Sequence, residues 1–315
     1  MLCENEFAEH EKECRPLCTI WRIHIKPTAK EGVDPRAFCL ENSILGVGWP
    51  VEAKTKPDWK TYLELASKQY PKDGGWHSAL NAIKKMRVND LCWTRSRENV
   101  YYLGRVTTPD WRYCDTPESR AADVINVRDC DWMKVGLVDA VPGKVIACFR
   151  STRSLQKIDS PSVRMYSQYL YNQRHPNQYT IGTIAAPDLF EFLDSDDLED
   201  IVSLYLQAER HFLFISSSRQ SDTGTYEFVL CHRDTHERAV VQVKHGNVDL
   251  SIKKYSHISD KVFLFTSGGR YIGHANSRVE CLSRDVIANF IALNRNLLPP
   301  RTITKMSMFD ELTAS

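Results

Sequence analysis

The chain has 315 residues, 42% hydrophobic and 26% charged, a globular composition with enough length for two domains of ordinary size. Its formal net charge is +1, so there is no overall basic footprint and any contact with nucleic acid must come from a local patch. No apolar run is long enough to span a membrane, and Met1 to Arg15 is acidic and polar without the apolar core of a signal peptide, so a cytoplasmic location without a membrane partner is expected. The cysteines are scattered singly, as at Cys92, Cys148 and Cys231, which fits reduced thiols better than a disulfide framework. Cys3, His10, Cys14 and Cys18 lie close together, and thiolates with one imidazole suit zinc. The absence of a CxxC pair favours the plainer reading of an N-terminal arm over residues 1–17.

The folded part begins with the alternating stretch Cys18 to Ile25, a half-buried strand. Pro27 to Pro35 reads as a loop, Arg36 to Leu40 as one helical turn, and Ile44 to Trp49 as a strand whose glycines allow close backbone approach. Trp59 to Tyr70 and Trp76 to Met86 have helical periodicity. Strands are expected at 90–94, 100–106, 123–128 and 130–135. Trp21 and Trp132 are assigned to the core. Trp49 ends the Gly-rich strand, Trp93 follows the Asn89-Asp90 turn, and Trp111 lies in a loop rich in Asp, Pro and Tyr. With Asn42 and Ser43, they are the candidate base- or ligand-binding residues, although core filling accounts for a Trp equally well.

The order of these elements resembles the PUA-like small β-barrels with a helical insert, above all their EVE and YTH branch. The residues that carry it are "ILGVGW" at 44–49, "KKMRVNDLCWTR" at 84–95 and "YYLGRVTTPDWRY" at 101–113. The resemblance covers residues 18–158. It implies a reader domain that holds a flipped, modified base against aromatic side chains. The usual Gly-Asp turn is replaced by Asn89-Asp90, and Asn also tolerates the left-handed conformation.

Residues 159–186 read as a linker containing a Tyr-rich helix from Ser162 to Asn172. Arg150, Arg153 and Lys157 form a basic strip that reads more simply as a solvated face than as a phosphate track. A second domain is expected over 187–315. Asp194-Ser195-Asp196 is an N-cap region for a helix at 197–208, with Glu199, Val202 and Leu206 on one face. Phe212 to Ile215 and Tyr226 to Leu230 read as strands, and the polar segment Cys231 to Arg238 turns the latter into Ala239 to Lys244 as a β-hairpin. Lys261 to Thr266 is a very apolar strand, Val286 to Leu293 a helix, and residues 297–315 a tail. In the Val-rich strand, Gln242 and Lys244 are two apart and share a face. Burying an amide and a Lys there is costly unless something pairs with them.

An acid on one strand followed by Q-x-K on the next resembles the PD-(D/E)xK restriction-endonuclease-like fold, in its Mrr branch. The matching residues are "LEDIVSLYLQAE" at 198–209, "YEFVL" at 226–230, "VVQVKHG" at 240–246 and "KVFLFTSGG" at 261–269. The implied architecture is a mixed-sheet α/β/α core beside an α+β reader. The implied activity is metal-assisted hydrolysis of DNA phosphodiesters. Magnesium, or manganese in its place, would be held by Glu227, the Gln242 amide oxygen and the Val243 carbonyl, with Glu199 completing the site. Lys244 would orient or deprotonate the attacking water. Asp222, five residues before Glu227, is an alternative acid. A salt bridge alone would explain Glu227 and Lys244, but not Gln242 beside them.

These expectations add up to an endonuclease acting in modification-dependent restriction or antiphage defence. Its partner is DNA, with or without modified bases, and a homodimer is left open. The alternatives are a non-catalytic nucleic-acid binder and a nuclease gated by a small nucleotide signal.

Overall fold

The computed structural model describes residues 18–25, 31–181, 188–220, 226–274 and 276–313, so Cys3, His10, Cys14 and Asp222 lie outside the described residues. The first half alternates short strands with helices. In order these are β1 (Ile20–Ile23), α1 (Pro35–Glu41), β2 (Ile44–Val47), α2 (Trp59–Gln69), α3 (Gly75–Lys85), β3 (Leu91–Arg95), β4 (Tyr101–Val106), β5 (Arg112–Tyr113), α4 (Pro117–Ala121), β6 (Asn126–Gly136), α5 (Gly143–Cys148) and β7 (Leu155–Ile158). Of these helices, α1, α2 and α4 carry side-chain N-caps. The strands form one sheet in the order β2-β6-β4-β3-β1-β7, with β5 on β6, and it curls into a half-barrel. Asp58 caps α2 by accepting from the Thr61 amide, and Tyr62 and Ala66, four apart, turn its buried face to the core.

One strand replaces two expected ones. Residues 126–129 of β6 pair with β2 and residues 130–136 pair with β4. A strand that changes partner midway also changes which neighbours its side chains meet, so its apolar alternation breaks and reads as two pieces. Asn89 has φ of 70°, the left-handed turn expected there. It delivers Asp90, whose buried carboxylate accepts from the Thr19 and Arg87 amides and the Trp21 indole.

The second half continues with α6 (Pro161–Asn172), α7 (Ser195–Arg210), β8 (Phe212–Phe214), β9 (Phe228–His232), β10 (Arg238–Lys244), β11 (Leu250–Ser251), β12 (Lys261–Thr266), β13 (Tyr271–Ile272), β14 (Val279–Cys281), α8 (Arg284–Leu293) and α9 (Pro300–Thr313). Five strands form a mixed sheet in the order β14-β12-β10-β9-β8, with β10 at its centre and β11 paired to β13 alongside. The β9–β10 hairpin is antiparallel and β10–β12 parallel. Helices α7 and α8 cover one face, where Val241, Val243, Phe263 and Phe265 meet Ile201, Val202 and Ile291. The other face carries Val240, Val262 and Leu264 and is covered by Leu250, Ile252 and Tyr255. Among the described residues, a short 3-10 turn thus stands where the α/β/α expectation puts a second helical layer.

Two segments differ from their sequence reading. Helix α6, in the expected linker, has Val163, Met165 and Tyr166 in a core shared with Phe192, Met308 and Phe309. Residues 300–313, expected as part of a tail, form α9. Its inward side mixes the buried polar residues Thr302 and Lys305 with Ile303, Met306, Met308 and Phe309, so no clean apolar stripe marks it as a buried helix.

Candidate active site and a second cavity

Strand alternation places the Q-x-K residues. Odd positions of β10 point into the α7 layer, so Gln242 and Lys244 point to the opposite face with Val240. Glu227 immediately precedes β9, and its amide donates to the Val241 carbonyl at 2.8 Å. Its carboxylate therefore reaches both side chains. Gln242 Nε2 donates to Glu227 Oε1, and Lys244 Nζ approaches the same oxygen at 3.0 Å. Gln242 is 3% exposed, and Nε2 also reaches the Val243 carbonyl at 3.3 Å. The buried amide has its partners, as burial requires.

Gln242 and Lys244 open onto a cleft of about 410 Å3, whose far side is formed by Asp249, Ser251, Lys254, Tyr255 and His257. The Ser267-Gly268-Gly269 turn fixes that side. The Ser267 amide donates to the Lys244 carbonyl at 3.0 Å, and Ser267 Oγ accepts from the Gly246 amide at 2.8 Å. A Cβ on Gly269 would collide with the Val248 carbonyl, so only glycine lets the two chains approach. Burial raises the Tyr255 phenol, with the charge of Glu227 adding to it.

Glu227 and the Val243 carbonyl are hard oxygen donors at one end of β10, both accepting from Gln242 Nε2, and turning that amide over would set its oxygen beside them. Magnesium keeps several waters and takes one or two carboxylates, so this donor set fits it. Among the described residues no group of three or more His, Cys, Asp or Glu side chains is placed to hold a metal ion, and Glu227 is the carboxylate bonded to Gln242 and Lys244. Glu199 does not join it. It sits half-buried on α7, on the other face of the sheet, and does not line the cleft. Asp222 falls outside the described residues.

A larger cavity of about 590 Å3 opens in the half-barrel, lined among others by His24, Trp49, Tyr70, Asp73, Asp123 and Arg153. Trp49 has φ of 63°, a left-handed conformation that is rare for a bulky residue. It is held from two sides: Nε1 donates to Asp73 Oδ2 at 2.8 Å, and its carbonyl accepts from Tyr62 Oη at 3.0 Å. Gly48 lacks the Cβ that would strike the Asp123 carboxylate, which therefore sits against the β2 backbone.

The other expected reader residues are elsewhere. Trp93 is fully buried, with Nε1 donating to Ser167 Oγ at 3.0 Å, so it presents no face to a ligand. Trp111 packs edge-on against Trp59 with centroids 5.0 Å apart and donates to Asn126 Oδ1 at 3.0 Å; it belongs to the core around Tyr62 and Tyr113. Asn42 and Ser43 are exposed and precede β2, whereas Trp49 follows it, so the strand separates them. Trp111→Ala is expected to cost about 3 kcal/mol of stability by cavity formation, read from urea unfolding. A loss below about 1 kcal/mol would remove Trp111 from the core.

Among the described cysteines none is paired. Burial pushes the Cys18 and Cys39 thiols up to about 12, so both stay protonated at neutral pH. No described helix is long and apolar enough to cross a membrane. Sequence reasoning missed Asp249, Lys254, Tyr255 and His257 on the cleft, and Tyr70, Asp73 and Asp123 on the cavity, where Arg153 of the basic strip also lies. The spacing of three between Ser251, Lys254 and His257 was the available signal for the first group. No family model, curated protein or solved structure matches this chain.

Proposed function

We propose that this protein is a magnesium-dependent DNA endonuclease whose half-barrel cavity recognises a modified base, in modification-dependent restriction or antiphage defence. The observation that carries the reading is the group Glu227, Gln242 and Lys244, side by side on one sheet face at the mouth of a cleft. Glu227, Gln242 Oε1 and the Val243 carbonyl would hold the ion, which supplies Lewis-acid polarisation of the phosphate. Lys244 orients the attacking water and offsets charge on the phosphate. The water oxygen bonds to phosphorus, the bond to the leaving oxygen breaks, and a proton goes to that oxygen. In the half-barrel, Trp49 offers a fixed aromatic wall within a cavity of ligand size. The fold resemblance to endonuclease-like and PUA-like domains supports this division of labour by analogy.

Glu227→Gln is expected to reduce magnesium-dependent cutting to background while the chain stays folded and binds DNA, because the substitution removes the charge and keeps the shape. A folded variant that cuts as fast as the parent would remove the hairpin as the active site. One observation favours a second reading, the non-catalytic binder: the Lys244–Glu227 ion pair at 3.0 Å is satisfied without any metal. Binding of unmodified and modified DNA with no cutting in magnesium or manganese would support that reading. The reader is tested by Trp49→Ala. Stacking contributes about 1–3 kcal/mol per base, so a roughly ten- to hundredfold loss of preference for modified DNA is expected. Tight binding of a free nucleotide in place of DNA would assign the cavity to a signal instead.

A further inference from the structure

The far side of the cleft is built as regularly as its catalytic side. After β11 the chain forms a 3-10 turn, Ile252–Tyr255, whose residues repeat every three positions. Ile252 and Tyr255, three apart, are buried in the core against Val240 and Leu264. The complementary series Ser251, Lys254 and His257 lines the cleft, while Lys253 is exposed and off it. The turn is anchored by two apolar residues and presents the Lys254 ammonium to the cleft, with the Ser251 hydroxyl just before it and the His257 imidazole just after it on the same lining.

The charges of the cleft are matched except along this lining. Lys244 is engaged by Glu227 at 3.0 Å. Asp249 is engaged by Arg270, which reaches it through both its amide and its guanidinium, at 2.8 and 2.9 Å. Neither Lys254 nor His257 has a side-chain hydrogen bond or ion pair among the described residues. Two exposed donor-bearing side chains thus line the same cleft as Gln242 and Lys244, beside a turn anchored in the core.

We propose that Ser251, Lys254 and His257 form a phosphate-binding wall, and that the cleft takes a nucleic-acid strand gripped by its backbone between this wall and Lys244. The inference rests on the nuclease reading for what happens to the strand, but not for its binding. Lys254 meets a non-bridging phosphate oxygen as a point charge, and His257 and Ser251 add donors beside it. Such contacts carry no sequence information and position the strand for whatever the half-barrel selects.

The test uses the full chain and a fluorescent duplex oligonucleotide, with affinity measured in EDTA across a salt series and cutting measured in magnesium. Lys254→Ala combined with His257→Ala is expected to weaken binding roughly tenfold or more and to flatten the salt slope by about one to two phosphate contacts. KM should rise with kcat nearly unchanged. Lys253→Ala, one residue away and off the cleft, should leave affinity close to that of the parent, and Lys254→Arg should restore most of it. Unchanged affinity and slope in the double variant would overturn the wall. Equal losses from Lys253→Ala and Lys254→Ala would also overturn it, by showing diffuse charge. If Glu227→Gln cuts normally while the double variant still loses affinity, hydrolysis at Glu227 is excluded and the wall stands.

Discussion

Lys244→Ala is expected to abolish magnesium-dependent DNA cleavage while leaving the fold intact and lowering DNA affinity only by the one phosphate contact it makes. A group that positions or deprotonates the attacking water contributes about 10²–10⁴-fold to the rate. No other described amine shares its place against Glu227. The structural cost is small, because the Lys244 side chain is 41% exposed and its ion pair with Glu227 is open to solvent. Gln242 would keep its own bond to Glu227, so the carboxylate stays satisfied. Circular dichroism and a melting curve should match the parent. A variant that melts normally and retains more than about a tenth of the parent rate would remove Lys244 from the chemistry.

The largest stability effect is expected far from the cleft, at Lys305. This side chain is fully buried, and its ammonium donates to Asp194 Oδ2 at 2.8 Å and Asp197 Oδ2 at 2.5 Å. The two carboxylates form the capping box of α7, and Arg301 and Thr302 reach them from the same side of α9. Lys305→Met would leave two buried carboxylates with Arg301 as their remaining charged partner. Breaking a buried pair in this way costs about 3–5 kcal/mol, a large share of the total stability of an ordinary domain. The loss would also loosen Phe309 and Met308 from Phe192 and Tyr166.

Proton linkage gives the same prediction a pH signature. Burial by itself raises the Asp194 carboxyl, but the Lys305 hydrogen bond and the charges of Lys305 and Arg301 outweigh it and hold it below its ordinary value. A folded value below the unfolded one gives stability that is present above about pH 4 and lost as pH falls through the folded value. Without Lys305, the Asp197 amide and Arg301 remain to hold the carboxyl down, so it is lowered less. The gap between parent and Lys305→Met should thus be full at pH 7 and narrow below about pH 4. Urea unfolding at several pH values measures it, and a gap under about 1 kcal/mol at pH 7 would contradict the account.

The sequence made the hairpin of β9 and β10 legible because a Val run interrupted by Gln242 and Lys244 has one consistent reading: a central strand with a polar face. The capped start of α7 was legible for the same local reason, Asp194 before an apolar period. Helix α9 was not, because the buried Thr302 and Lys305 interrupt the apolar residues Ile303, Met306, Met308 and Phe309 on which periodicity depends. The Trp residues show the limit of loop arguments. Trp111 sits in a polar loop yet is drawn into the core because Asn126 takes its indole proton and Trp59 its ring. Trp49 looks like a strand end and is set instead in a left-handed conformation on a cavity. The walls of that cavity come from separate loops carrying Asp73, Asp123 and Arg153, and no local pattern joins them. The cleft wall follows a two-residue strand, too short to announce the turn behind it. Because Phe192, Met308 and Phe309 share a core with α6, activity is best measured on the full chain rather than on residues 185–315 alone.

The most direct measurement is nicking of supercoiled plasmid by the purified full chain, in magnesium and in EDTA, beside Glu227→Gln and Lys244→Ala at equal concentration. Plasmids carrying methylated, hydroxymethylated and unmodified bases should be compared, with DNA binding recorded in parallel. The account predicts nicking by the parent in magnesium on at least one plasmid, none in EDTA, and none by either variant although both bind. Nicking by all three proteins alike, or binding by the parent with no nicking of any plasmid, would contradict it.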